Sequence, residues 1–351
     1  MALSSVKWQA MLLHAGLVSR RTMPGVVALY VAILAATGAA WGGAFYLFGD
    51  HPALLGTALL TFLLGIRHAV DPDHIAAIDS VTRNLVQAGK QPISVGLWFA
   101  LGHSSVVVCG SVAVAYTATN LAETFERFEA IGGVIGSGIS ALVLLLLGIM
   151  NLMVLRQVLA ARRSPASHDR PVPFDREARS GLGLPRFLRP LTRLIVQPWQ
   201  MLLLGFLFAL GFETATAVSL FGVAASQALD GSSIASVLVL SALFTTGMVF
   251  VDTTDGILML HVYKWAHKDL DRTYRYNMAV TSLSAGIALL IGMAGVANIV
   301  SSHIGSAIPD WLSLDCLEAH VGSLGLWVVG MFLSIWLIAR AVVRFQPRSS
   351  P

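Results

Sequence analysis

Eight apolar runs of 18 or more residues divide this sequence, and each is long enough to cross the hydrocarbon of a bilayer as a helix. They lie at about Gly25–Phe48, Ala53–Asp79, Pro92–Thr119, Ile131–Leu155, Trp199–Ala228, Ser233–Val262, Met278–Ser302 and Gly322–Phe345. Charged residues fill 12% of the 351 positions, about half the share usual in soluble domains, which argues against a soluble two-domain enzyme. The expected fold is an all-α polytopic membrane protein with the lipid bilayer as its principal surroundings. The first run, about 24 residues long, exceeds the apolar region of a signal peptide and reads as a retained anchor. A net charge of +4 is not gathered into one patch, so no nucleic-acid partner is expected. Cys109 and Cys316 support neither a disulfide framework nor a thiolate metal site.

The connections fix an expected orientation, because Lys and Arg collect on the cytoplasmic side. With both termini inside, 21 of the 23 basic residues fall in inside segments, Arg83 and Lys90 among them. Arg67 lies within a span and Arg127 outside. The expected organisation is a cytoplasmic segment over 1–24, a first four-helix half over 25–155 and a cytoplasmic Arg/Pro-rich linker over 156–198. A second half over 199–345 and a tail over 346–351 complete it. The linker's arginines suit an anionic lipid surface.

Ionisable groups within a bilayer are costly, so their placement marks the site. Spans one, four, seven and eight have apolar centres. The second carries Arg67, His68, Asp71, Asp73, His74 and Asp79; the third carries His103; the fifth carries Glu213; the sixth carries Asp252 and Asp255. These groups must face one another or a wet cavity, so the second, third, fifth and sixth spans enclose a polar site. On an ideal helix His68, Asp71 and His74 form one stripe while Asp73 points elsewhere. Pro72 cannot donate to the His68 carbonyl and pushes Asp71 out of helical angles. A kinked or opened turn would bring Asp73 and the freed carbonyl toward the same ion.

Mixed imidazole and carboxylate donors without thiolate suit a borderline divalent metal. The alternative is a buried ion-pair network holding the bundle together, with Arg67 bridging Asp71 four residues on; for Arg67 itself the charge-balancing role is the better reading. His103, taken alone, equally suits a packing histidine. Glu213 is flanked by threonines, and Asp252 and Asp255 stand three apart on one helical face, where unpaired carboxylates need a cation or shared protons. A weak echo, Leu64-Gly65 before the motif of span two and Leu210-Gly211 before that of span five, is the pattern left by an inverted repeat of helices 2–4 and 5–7.

The residues Arg67-His68-Ala69-Val70-Asp71-Pro72-Asp73-His74-Ile75 resemble the second-helix signature of the nickel/cobalt transporter family, whose hallmark is a His, four residues, then Asp-His. Leu101-Gly102-His103-Ser104-Ser105-Val106-Val107, Leu210-Gly211-Phe212-Glu213-Thr214-Ala215-Thr216 and Gly247-Met248 through Asp252-Thr253-Thr254-Asp255 follow in family order. Pro72 stands where family members usually carry Ala, Glu213 where they carry Asp, and Ala217 where they carry Glu. The resemblance implies eight helices with cytoplasmic ends and high-affinity uptake of Ni²⁺ or Co²⁺ across the bacterial cytoplasmic (inner) membrane. The metal is then substrate, no prosthetic group is required, and urease, hydrogenase or cobalamin synthesis is served only indirectly.

Rival functions are export of the same metals, a metal sensor, and an intramembrane metalloenzyme. His-Glu-x-x-His is absent, as are the several histidine boxes of a di-iron enzyme. A cytoplasmic metal-collecting segment typical of exporters would be His-rich, whereas the linker holds His168 alone. Six membrane acids against Arg67 leave more negative charge than one divalent ion balances, so protons must share the load. Metal uptake is therefore expected to vary with external pH and with the proton gradient. Rates measured in energised cells that stay flat across pH 5.5 to 8 would contradict this, on the roughly one-unit scale over which carboxylates and imidazoles are retuned.

Overall fold

The computed structural model describes residues 22–118, 138, 141–149, 151–153, 155, 156, 159, 195–210, 233–266, 270–304, 330 and 334. Among them the chain is all helix, with no strand. In chain order the helices are α1 (Met23–Phe48), α2 (Pro52–His68), α3 (Pro72–Gln87), α4 (Val95–Ala118), the shorter α5 (Ala141–Met153), α6 (Met201–Ala209, entered by a 3₁₀ turn at Pro198–Gln200), α7 (Ile234–Ala266) and α8 (Leu270–Ile304). Three of these, α1, α4 and α7, are individually long and apolar enough to cross a membrane. The pair α2 and α3, bent by 51° at the break between them, makes a fourth when its two halves are taken together as one span. Glu213 and, apart from a few scattered positions, the linker over 156–198 and the eighth apolar run lie outside the described residues.

α7 is the central post. It packs on α1, α2, α3 and α4, while α4 packs along α6. Exposed residues such as Leu34, Phe45, Leu60, Leu203 and Leu238 give the bundle an apolar outside suited to lipid. Without a hydrophobic drive between helices in lipid, close approach must come from small residues. Gly65 of α2 lies against the Phe244 carbonyl of α7, and Gly247 of α7 lies against the Phe62 carbonyl of α2. Gly102 of α4 and Gly205 of α6 repeat the arrangement, against the carbonyls of Leu202 and Phe99. Gly96 of α4 abuts the backbone of Asp252 and Thr253. A methyl group at any of the five would strike backbone, which cannot swing aside.

The run Ala53–Asp79 is broken where Pro72 is expected to kink or open it. α2 ends at His68, Asp71 is extended (ψ 140°), and α3 begins on Pro72. Proline at the first helical position loses nothing, because that N–H has no helical acceptor. α3 then continues to Gln87, past the expected end, so Arg83 is a buried helical residue and not a loop cation. The carbonyl of His68 is not left free either, since it accepts the Asp71 N–H at 3.0 Å.

Replacing Gly102 by Ala should lower the stability of the purified protein by about 2 kcal/mol through overpacking. Gly56, with nothing within 4 Å of a Cβ, should accept Ala without loss. Thermal unfolding in detergent checks both, and equal Tm values for the two variants would refute the crossing argument.

Candidate metal-binding site

The break after His68 creates the site. Asp71 caps α3 by position, but its carboxylate makes no capping bond to the helix. Instead one oxygen takes the Arg67 guanidinium and the other meets His68 Nδ1 at 3.1 Å. Two residues into α3, His74 Nδ1 lies 3.2 Å from Asp252 Oδ2 and 3.4 Å from Oδ1. Each carboxylate thus engages one imidazole through Nδ1, an arrangement that fixes ring orientation and directs Nε2 to other partners. His68, His74, His103 and Asp252 are all buried.

The three imidazoles form a near-equilateral triangle, with ring centroids 4.7, 4.7 and 4.8 Å apart. One ligand atom from each lies within 4.8 Å of the other two. His68 and His103 meet Nε2 to Nε2 at 2.8 Å, so one of them carries the proton between them. His74 Nε2 and His103 Nδ1 are buried without a hydrogen-bond partner. Such orphaned buried nitrogens are costly and ask for a ligand. Metal–nitrogen bonds of about 2.0–2.1 Å require donor nitrogens roughly 3 Å apart, so small ring movements would let this cluster hold one divalent ion. Phe99 stacks edge-on to His74 (centroids 4.9 Å, 85°) and Phe244 lies 5.6 Å from His68, walling the cluster with apolar surface.

Not every candidate from the sequence converges on the triangle. His68, His74, His103, Asp71 and Asp252 are joined by the contacts above. Asp73 sits in the first turn of α3, only partly buried, with its charge acting on His74 and Asp252. Asp255 has one oxygen buried and unpartnered, and its charge interacts with those of Asp79 and Asp252. Arg67 is 40% exposed at the side chain and bonds Asp71.

Two features escaped the sequence reading. Asp79 accepts the Tyr263 hydroxyl, and Arg83, 2% exposed, donates to Thr281 and Asn151. The signal available was helical spacing, since Asp79 and Arg83 stand four apart, on one face of a helix that ends only at Gln87.

Residues 54–342 match the NicO family, described as high-affinity nickel-transport protein. The chain is 43% identical over 323 residues to a high-affinity nickel transport protein of Cupriavidus necator, covering 92% of each. It is 40% identical to the hydrogenase nickel incorporation protein HupN of Bradyrhizobium diazoefficiens, over 91% of this chain and 84% of that one. It is 36% identical to the cobalt transport protein NhlF of Rhodococcus rhodochrous, over 88% of this chain and 89% of the other. No solved structure matches it. A buried imidazole cluster inside an apolar helical bundle, matched along most of its length to these transporters, makes this chain a member of the NicO family of nickel-transport proteins.

Proposed function

We propose that this chain is a permease, not an enzyme, that takes up Ni²⁺ or Co²⁺ across the bacterial cytoplasmic membrane, with the ion held at the imidazole triangle as substrate. The observation that carries the reading is the convergence of His68, His74 and His103 with two orphaned ring nitrogens. Imidazole donors in a site without thiolate suit nickel and cobalt. The names of the relatives, nickel in two and cobalt in the third, support the same substrates. In this reading Asp71 and Asp252 orient His68 and His74, while Asp73, Glu213 and Asp255 supply the negative field that draws a dication inward. Arg67 balances Asp71. Hydrogenase, urease or cobalamin synthesis would receive the metal downstream, in keeping with the HupN name.

Eight spans with both termini cytoplasmic, arranged as an inverted repeat, complete the proposal. The glycine crossings support a repeat by their numbering, but one that pairs Leu64-Gly65 with Leu204-Gly205 and not with Leu210-Gly211. Phe62 and Gly65 of α2 correspond to Leu202 and Gly205 of α6, both 140 positions on, and Phe99 and Gly102 of α4 to Phe244 and Gly247 of α7, both 145 on. Under those two shifts the α2/α7 crossing becomes the α6/α4 crossing. By the same shift Asp73 corresponds to Glu213, so the charged motifs of the two repeats align. The site then lies between the repeats, where alternating access requires it.

Accumulation of ⁶³Ni²⁺ and ⁵⁷Co²⁺ at nanomolar metal, in cells expressing the chain, tests the assignment. Asp71→Asn and Asp252→Asn should weaken apparent affinity by about 10–100-fold, the usual effect of removing a carboxylate that orients a metal-bound histidine. His68→Ala and His74→Ala should lose more. Normal accumulation by His68→Ala would sink the assignment, and net outward flux from loaded vesicles under the same gradient would convert it to export.

A further inference from the structure

Arg83 is a full positive charge buried in the bundle, 2% exposed, with only neutral partners. Its Nη1 donates to Thr281 of α8 and its Nη2 to Asn151 of α5, and Asn151 donates in turn to Ser80 Oγ at 3.0 Å. Among the described residues no acid lies within ion-pair distance of it. A buried arginine ordinarily has a carboxylate beside it, because an unbalanced charge in a low-dielectric interior is expensive. As a brace between three helices, a neutral amide would serve at lower cost. The charge itself therefore has a use.

Its position suggests which. From the triangle toward the end of α3, charge passes from His74 and Asp252 to Asp255 and Asp79, which interact electrostatically. Arg83 comes next, about 13 Å along the axis from His74 and one turn beyond Asp79. Beyond it α3 ends at Gln87 and the chain turns at Gly89 (φ 74°). A dication drawn along these acids would meet the fixed positive charge of Arg83, which is tied to two other helices.

Resting on the transport reading above, we propose that Arg83 is the barrier charge at the inner end of the route, holding α3, α5 and α8 together and barring passive passage of the cation. Movement of α3 away from Asn151 and Thr281 withdraws the charge and releases the ion. No titration is involved, since a guanidinium stays charged at any physiological pH.

The test uses the full-length protein, purified and reconstituted into vesicles preloaded with ⁶³Ni²⁺, beside the visible spectrum of bound Co²⁺ as a measure of the triangle. Arg83→Gln keeps amide donors and loses the charge, and Arg83→Lys keeps the charge and loses the fork. The Gln variant should bind Co²⁺ within twofold of wild type and leak ⁶³Ni²⁺ at least tenfold faster, with Lys restoring the barrier to within threefold. Thr281→Val retains the arginine and removes one tether; it should leak faster than wild type even if Arg83→Gln does not fold. A Gln variant as tight as wild type, a Lys variant as leaky as Gln, or an unaltered Thr281→Val would each overturn the proposal. Failure of the wild type itself to bind Co²⁺ would instead overturn the reading of the triangle.

Discussion

The structure depends on the cost of charge in hydrocarbon, met here by breaking a helix. Were residues 52–87 one straight helix, Asp71 would spend its carboxylate along the helix surface and α3 would not begin with a fresh N-terminus. The 51° bend ends α2 on His68 and restarts the chain on Pro72, so two imidazoles six residues apart come within one cluster. Asp71 occupies the capping position without capping, because Arg67 and His68 claim both oxygens. The cluster therefore draws on hydrogen-bonding capacity that an ordinary helix end would keep.

Glycine sets how closely the other helices approach this break. Gly65, Gly247, Gly102 and Gly205 let α2 meet α7 and α4 meet α6 backbone to backbone. Gly96 does the same between α4 and the Asp252–Thr253 peptide. Asp252 of α7 meets His74 of α3 beside that crossing, and His103 follows Gly102 on α4. The chemistry of the cluster is thus set partly by residues that carry no side chain.

Much of this was legible in the sequence because the two informative signals were extreme. Long apolar runs announced the helices, and ionisable residues inside them announced His68, His74, His103 and Asp252. Pro72 announced the break, since no proline can donate to the carbonyl four residues back. The fate of that carbonyl was not legible, because its capture by the Asp71 N–H depends on one extended residue. Arg83 was misread for a related reason. Hydropathy ends a span at the first dense run of polar residues, whereas α3 buries Asp79, Ser80 and Arg83 against Tyr263, Asn151 and Thr281, partners 68 to 198 positions away. Pairing across such separations leaves no local pattern.

The contact between His68 Nε2 and His103 Nε2 joins α2 to α4 across the interior of the bundle. A buried imidazole nitrogen without a partner is costly, so the pairing ties the last residue of α2 to α4 through a single shared proton. The triangle is thereby a tether between helices as well as a set of donors, and any relative movement of α2 and α4 must first part those two nitrogens.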